Sequence, residues 1–323
     1  MATVAALIST KGGATKTSTC ANIGALVADM GFSVLMIDGD QQQSLSSFFN
    51  IDKLAPYGFR RFLTKIDATD CISQTSIPGL DIIVNDDPTN DIKFFFTCST
   101  HYEYLRHAIN SLRPCYDFIF IDTKGHNDGA IQESAIKAAD RIICPVVVEF
   151  MVAKEFRRGT LEMINRLRGP EDITLFTPPP LTVVLNRIKR NTTSHRRIIK
   201  DLQNLIRESV SIANTVIFEK EAYNRACGLR LPVHRVDFYD RKDRAVPSAY
   251  TTQLQLVNEL FPITQGRRPQ WKDMPRKLRQ TLESHLVAEP VHSCMMDTIN
   301  NESTNYQPEI IADTTPINRV RFK

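Results

Sequence analysis

The sequence predicts an α/β fold, doubly wound, with a mostly parallel sheet and helices on both faces. Three observations carry the prediction. Short, nearly continuous apolar runs recur at Val4–Ile8, Ser33–Ile37, Leu80–Val84, Phe118–Ile121, Arg141–Val148 and Leu181–Leu185. Most are separated by segments with helical spacing, the alternation of a parallel sheet covered on both sides, whose strands lose the polar-out pattern. The first run is followed at once by a glycine-containing turn and a helix-forming segment, Lys11-Gly12-Gly13-Ala14-Thr15-Lys16-Thr17.

Taken in order, Val4–Ile8 is the first strand and Lys16 to Met30 the first helix, with Ile23, Leu26, Val27 and Met30 on one face and Gly31 placed to end it. Further helices are expected over Tyr102–Leu112, Gly129–Ala139, Lys154–Arg168, Ser194–Ser209 and Pro247–Leu260. Near Pro262 the character changes to a basic, proline-broken stretch and then a polar tail. The expected division is therefore a domain at 1–262 and a flexible extension at 263–323 with one helix near Lys277–Ala288. A partner-docking segment and a disordered remnant fit that extension equally well.

A chain of 323 residues with 42% hydrophobic residues buries one substantial core. Its net charge of +4 only weakly favours an anionic partner, so clustering of basic residues must decide the matter. The seven cysteines are scattered without metal-ligand spacing, as expected of buried thiols in a reducing compartment. No uninterrupted run is long enough to span a bilayer, and the apolar start lacks the basic residues of a signal peptide, so a cytoplasmic location is expected.

A glycine turn between a buried strand and a helix exposes successive N–H groups, and the helix dipole favours an anion there. The segment is expected to hold the phosphates of ATP through Lys11, Gly12, Gly13, Ala14, Thr15, Lys16, Thr17 and Ser18, with Lys16 on the β- and γ-phosphates and the Thr17 hydroxyl on Mg²⁺. Against the common P-loop pattern, Thr10 replaces the first glycine and Thr15 the one before the lysine. The spacing K-G-G-x-x-K-[ST] resembles the deviant Walker A of the ParA/MinD class of P-loop NTPases, closest to the chromosome and plasmid partition ATPases. The likeness covers roughly residues 2–261.

That resemblance implies further roles. Asp38 and Asp40, at the end of the second strand, match the first switch, which puts Asp38 in the metal's outer shell and Asp40 at the attacking water; Gln41 stands where the family has proline. Phe118 to Asp122 reads as a Walker B strand with Asp122 toward Mg²⁺, and Lys124 stands in the altered second switch. Asn186 would read the adenine edge, and Thr215-Val216-Ile217 matches a later strand after which Phe218 packs beside the base. Lys11 would cross a homodimer interface to the partner's nucleotide, giving Lys11, Lys16 and Asp40 catalytic roles.

The basic run Arg187, Lys189, Arg190, Arg196, Arg197 and Lys200 would neutralise DNA phosphates without reading bases. The resemblance implies a slow, ATP-dependent, dimerising DNA-partition ATPase, nucleoid-associated in its ATP state and stimulated by a ParB-type centromere-binding protein. The alternative is a MinD-like membrane-associated, or a protein-cargo-positioning, ATPase. A membrane partner is disfavoured by the acidic, proline-bearing end of the Leu278, Leu282, Leu286 stripe.

Overall fold

The computed structural model describes residues 1–11, 13, 15–65, 68, 70–89, 91–92, 103–125, 129–149, 154–168, 176–189, 199–200, 202, 210–238 and 246–271. Among these residues the sheet has nine strands in the order β3-β4-β5-β2-β6-β1-β7-β8-β9. They are β1 Thr3–Leu7, β2 Val34–Gly39, β3 Ile51–Lys53, β4 Ser73–Thr75, β5 Leu80–Ile83, β6 Phe118–Thr123, β7 Arg141–Val147, β8 Leu181–Asn186 and β9 Val210–Ile212. From β5 to β9 every pairing is parallel; β3–β4 and β4–β5 are antiparallel and form one edge.

Alternate residues of each central strand enter different cores, as a doubly covered sheet requires. Val4, Ala6 and Ile8 join one core with Leu105, Ala108 and Ile109 of helix Tyr104–Leu112 and with Ala135 and Ile136 of helix Gly129–Ala138. Ala5 and Leu7 face the other, filled by Leu26 and Val27 of helix α1 (Lys16–Asp29) and by Leu256, Val257 and Leu260 of helix Ala249–Leu260. Gly31, at φ 89°, ends the first helix as expected.

One anticipated strand is corrected. Thr215–Ile217 is not a strand; the ladder beside β8 is made by Val210–Ile212. Glu259 causes the break: its carboxylate accepts the Asn214 and Thr215 N–H groups at 2.6 and 2.9 Å, drawing them from the sheet. Pairing resumes when the Ile217 N–H donates to the Leu185 carbonyl at 2.9 Å and Phe218 bridges Ile188. The expected helices at Ser194–Ser209 and Lys277–Ala288 lie wholly or largely outside the described residues. The segment Lys154–Arg168 contains a π-helical turn, Phe156–Leu161, before its α-helical end Glu162–Arg168.

Packing continues past 262: the Gln270 N–H donates to the Asp29 carbonyl at 2.7 Å, and Trp271 meets His234 edge to face at 5.4 Å. This belongs to one compact unit, Met1–Pro275; a second unit, Arg276–Lys323, lies outside the described residues. Among the described residues no helix is long and apolar enough to cross a membrane.

Beneath Trp271, Asp29 at the end of α1 is almost fully buried and is held by the His234 ring at 2.7 Å and by Arg235 at 2.6 and 2.8 Å. Burial would raise the Asp29 pKa, but the His234 and Arg235 hydrogen bonds outweigh it and the net shift is downward. Burial lowers the His234 pKa below its ordinary 6.5 despite Asp29, so the ring stays neutral. Both shifts favour folding at neutral pH. The His234 contribution fades as pH falls below about 6.5, and that of Asp29 below about 3.8. Unfolding free energies at pH 7 and pH 5 should therefore show a smaller acid loss in His234→Gln than in the wild type. Equal losses would contradict a buried neutral ring.

Candidate nucleotide site

The chain leaves β1 between β6 and β7, the point where its connections diverge to opposite sides of the sheet and a crevice opens at the strand ends. The cleft there has a volume of about 770 Å³ and is lined by Gly13, Thr15, Lys16, Thr17, Ser18, Asp40, Asn186, Arg187 and Phe218, among others. Residues separated by the whole length of the domain thus meet at one crevice. Gly12 and Ala14 lie outside the described residues.

Lys16 opens α1 and is buried, with its ammonium donating to the Lys11 carbonyl at 3.4 Å. Burial lowers its pKa, while the charges of Asp122 and Asp40 partly restore it. Lys11 itself is half-buried at the mouth of the loop. Thr10, in place of the usual first glycine, is tied to the π-helical turn: its N–H donates to the Thr160 hydroxyl at 3.2 Å, and the two hydroxyls lie 3.2 Å apart. Gly159 permits the approach, because a Cβ there would collide with the Thr10 hydroxyl. A π-turn in a helix commonly marks a functional site, and this one buttresses the phosphate loop.

Asp38 and Asp122 are direct neighbours across β2 and β6, and both are fully buried. Gly39 allows the strands to close here; a Cβ would come within 2.7 Å of the Asp122 carbonyl oxygen. Burial raises Asp38 to about 6, against donation from the Ser46 hydroxyl at 2.7 Å and the Ser46 and Asp40 N–H groups at 2.8 and 3.1 Å. Burial and then the charge of Asp38 push Asp122 up to about 7, with Thr17 and Lys16 pulling it down. Neither Asp122 oxygen meets a donor at full hydrogen-bond geometry among the described residues. A buried carboxylate left so, beside a threonine hydroxyl and a lysine, fits a hard divalent cation that brings its remaining oxygens from phosphate and water.

Asp40 stands at the cleft, its carboxylate accepting the Gln42 N–H at 3.0 Å and its carbonyl the Gln43 N–H at 2.9 Å. The Gln43 side chain donates to the Asn85 carbonyl at 2.7 Å, and Asn85 donates to the Asp38 carbonyl at 3.3 Å. These amides brace the turn after β2, which carries Gln41 where the resembled family has proline. Gly125, after β6, reaches the cleft, while the Lys124 carbonyl is bound by Gln132.

Asn186 ends β8 with its amide donating to Thr15 Oγ1 at 2.7 Å. Phe218 is half-buried in the wall of the cleft. Of the basic run, Arg187, Lys189 and Lys200 are exposed, and Lys189 pairs with Glu219 at 3.4 Å. Arg190, Arg196 and Arg197 lie outside the described residues. Sequence reasoning missed the wall formed by Tyr223, Asn224, Cys227 and Gln253, where the Gln253 amide donates to the Tyr223 hydroxyl at 3.1 Å. The signal was available: Ala222, Ala226 and Leu229 recur at helical spacing, and helix Glu221–Gly228 buries that face.

Comparison with known proteins agrees with this geometry. The AAA domain family matches residues 2–171. The sporulation initiation inhibitor protein Soj of Bacillus subtilis is 28% identical over 52% of this chain and 66% of its own length, just under two thirds. The chromosome partitioning protein ParA of Caulobacter vibrioides is 27% identical over 62% of this chain and 75% of its own. Among solved structures, a variant of Cyanothece McdA in complex with ATP superposes with a TM-score of 0.65 at 18% identity, over 84% of this chain and 99% of that one. At that identity the superposition speaks for the fold.

Proposed function

The chain belongs to the AAA domain family and is a ParA/MinD-type P-loop ATPase, and on that premise we propose that it is an ATP-dependent, dimerising DNA-partition ATPase. The observation that carries the proposal is the pair of lysines in one loop. Lys16 is buried beside Asp122, and Lys11, five positions earlier, is half-buried and does not line the cleft itself, which leaves it for a second subunit in this reading. The name of the chromosome partitioning relative ParA supplies the partition role.

In this reading the loop from Lys11 to Ser18 binds the phosphates of ATP, and Lys16 places its charge on the β- and γ-phosphates. Thr17 and Asp122 hold Mg²⁺, with Asp38 behind them in the outer shell. When bound, the metal neutralises charge on the phosphate oxygens. Asp40, held by the turn at Gln42 and Gln43, orients the attacking water. Phe218 flanks the base, and Lys11 contacts the nucleotide of the partner protomer, so that ATP joins two copies.

Three experiments test this. Asp40→Ala is expected to retain ATP, slow hydrolysis by about a hundredfold and accumulate a dimer on size-exclusion chromatography with ATP. Normal turnover in that variant removes the role given to Asp40. The decisive measurement is retention on nonspecific DNA and on anionic liposomes, each with and without ATP. ATP-dependent DNA retention is expected, and liposome-only binding would favour a membrane-positioning ATPase. Replacing Arg196, Arg197 and Lys200 together by alanine should weaken DNA retention and flatten its log-log salt dependence by about 2 to 3, while basal hydrolysis stays unchanged. Undiminished retention would place the DNA surface elsewhere.

A further inference from the structure

Two residues of the site have backbones that side-chain-bearing residues seldom adopt: Thr15 at φ 62° and Arg187 at φ 52°. Threonine is especially disfavoured there, because its branched Cβ crowds the backbone. The two lie on different elements, the phosphate loop and the end of β8, and one side chain holds both. The Asn186 amide nitrogen donates to Thr15 Oγ1 at 2.7 Å and more distantly to Thr19 Oγ1 at 3.4 Å, and its carbonyl oxygen accepts the Arg187 N–H at 2.7 Å. Asn186 is buried, so these bonds form largely out of water.

Thr15 also occupies the cap position of α1, its carbonyl accepting the Thr19 N–H at 2.9 Å. A threonine there ordinarily turns its hydroxyl onto the N–H groups of the first turn. Here the left-handed backbone and the bond from Asn186 direct the hydroxyl elsewhere, and the helix start receives no side-chain cap from it. Those N–H groups are the ones a phosphate would take.

We infer that Asn186 is a positioning residue of the phosphate loop: it latches the Thr15 hydroxyl away from the helix start and leaves the first-turn N–H groups for the nucleotide. The inference rests on the ATPase reading and changes one assignment within it. Asn186 bonds protein groups through both polar atoms of its amide, and a loss that acts through the phosphate contacts of the loop falls equally on ATP and GTP. The threonine that departs from the glycine pattern is thereby accommodated by a partner 171 positions away.

The test is a double-mutant cycle on the full chain, using ATP and GTP as probes. Asn186→Ala should weaken ATP binding about tenfold with the ATP-to-GTP ratio unchanged. In a Thr15→Gly background, where no hydroxyl remains to be held, the same change should cost about twofold or less. Thr15→Ser keeps the hydroxyl and should restore the full effect of Asn186→Ala. An equal loss in both backgrounds, or a collapse of ATP preference, overturns the latch. A second arm uses no nucleotide: hydrogen exchange at the Thr19 amide should be faster in Asn186→Ala than in wild type, and unchanged exchange also overturns it. If wild type binds neither nucleotide, the ATPase reading fails by itself and the exchange arm still decides the latch.

Discussion

Lys16→Ala should lower ATP affinity by about a hundredfold or more and leave no measurable turnover. The size follows from where the ammonium lies. It is buried at the start of α1, within the field of the Asp122 and Asp40 carboxylates, in a cleft where charges are weakly screened. Alanine removes the positive charge placed for the phosphates and leaves Asp122 and Asp40 to repel them. Lys16→Arg should rescue little, because a planar guanidinium does not replace a compact ammonium on a short, buried path to the loop. Titration calorimetry with ATP checks the affinity, and a thermal melt checks that the fold survives. Unchanged ATP binding in a folded Lys16→Ala protein would remove the central claim about this site.

Asp29→Ala should produce the largest loss of stability, about 3 kcal/mol, read as a lower denaturation midpoint at an unchanged slope. Asp29 accepts from both the His234 ring and the Arg235 fork, and with it gone a buried imidazole and a nearly buried guanidinium lose their carboxylate together. That is a substantial part of the roughly 5–15 kcal/mol that holds a domain of ordinary stability. Asp29→Asn keeps an acceptor of the same shape and should cost less. The effect bears on function because α1 carries Lys16 at its other end and is pinned a second time where Asn22 accepts the Val233 N–H at 2.7 Å. A loss below about 0.5 kcal/mol in Asp29→Ala would show that the pair adds nothing beyond surface ion pairs.

The parts of this fold legible in the sequence are those with a local periodic signal. The runs at Val4, Ser33, Leu80, Phe118, Arg141 and Leu181 became β1, β2, β5, β6, β7 and β8, because a strand buried on both faces must be apolar at every position. The antiparallel strands Ile51–Lys53 and Ser73–Thr75 show no such run; they are short, and half of their residues are exposed. The strand placed at Thr215–Ile217 was displaced to Val210–Ile212 because a carboxylate from helix Ala249–Leu260 captured the intervening N–H groups. Nothing near residue 215 announces that capture.

A glycine-containing turn after β1, two lysines within it and acidic strand ends at Asp38 and Asp122 are all readable from the chain alone, since each is a contiguous pattern of residue types. How the exceptions are accommodated emerges from folding: Thr10 by Thr160, Thr15 by Asn186, and the end of α1 by His234 and Arg235. Those partners are 150 to 206 positions apart. Their pairing comes from the sheet order and from the directions in which folded elements aim their side chains, and no local propensity encodes either.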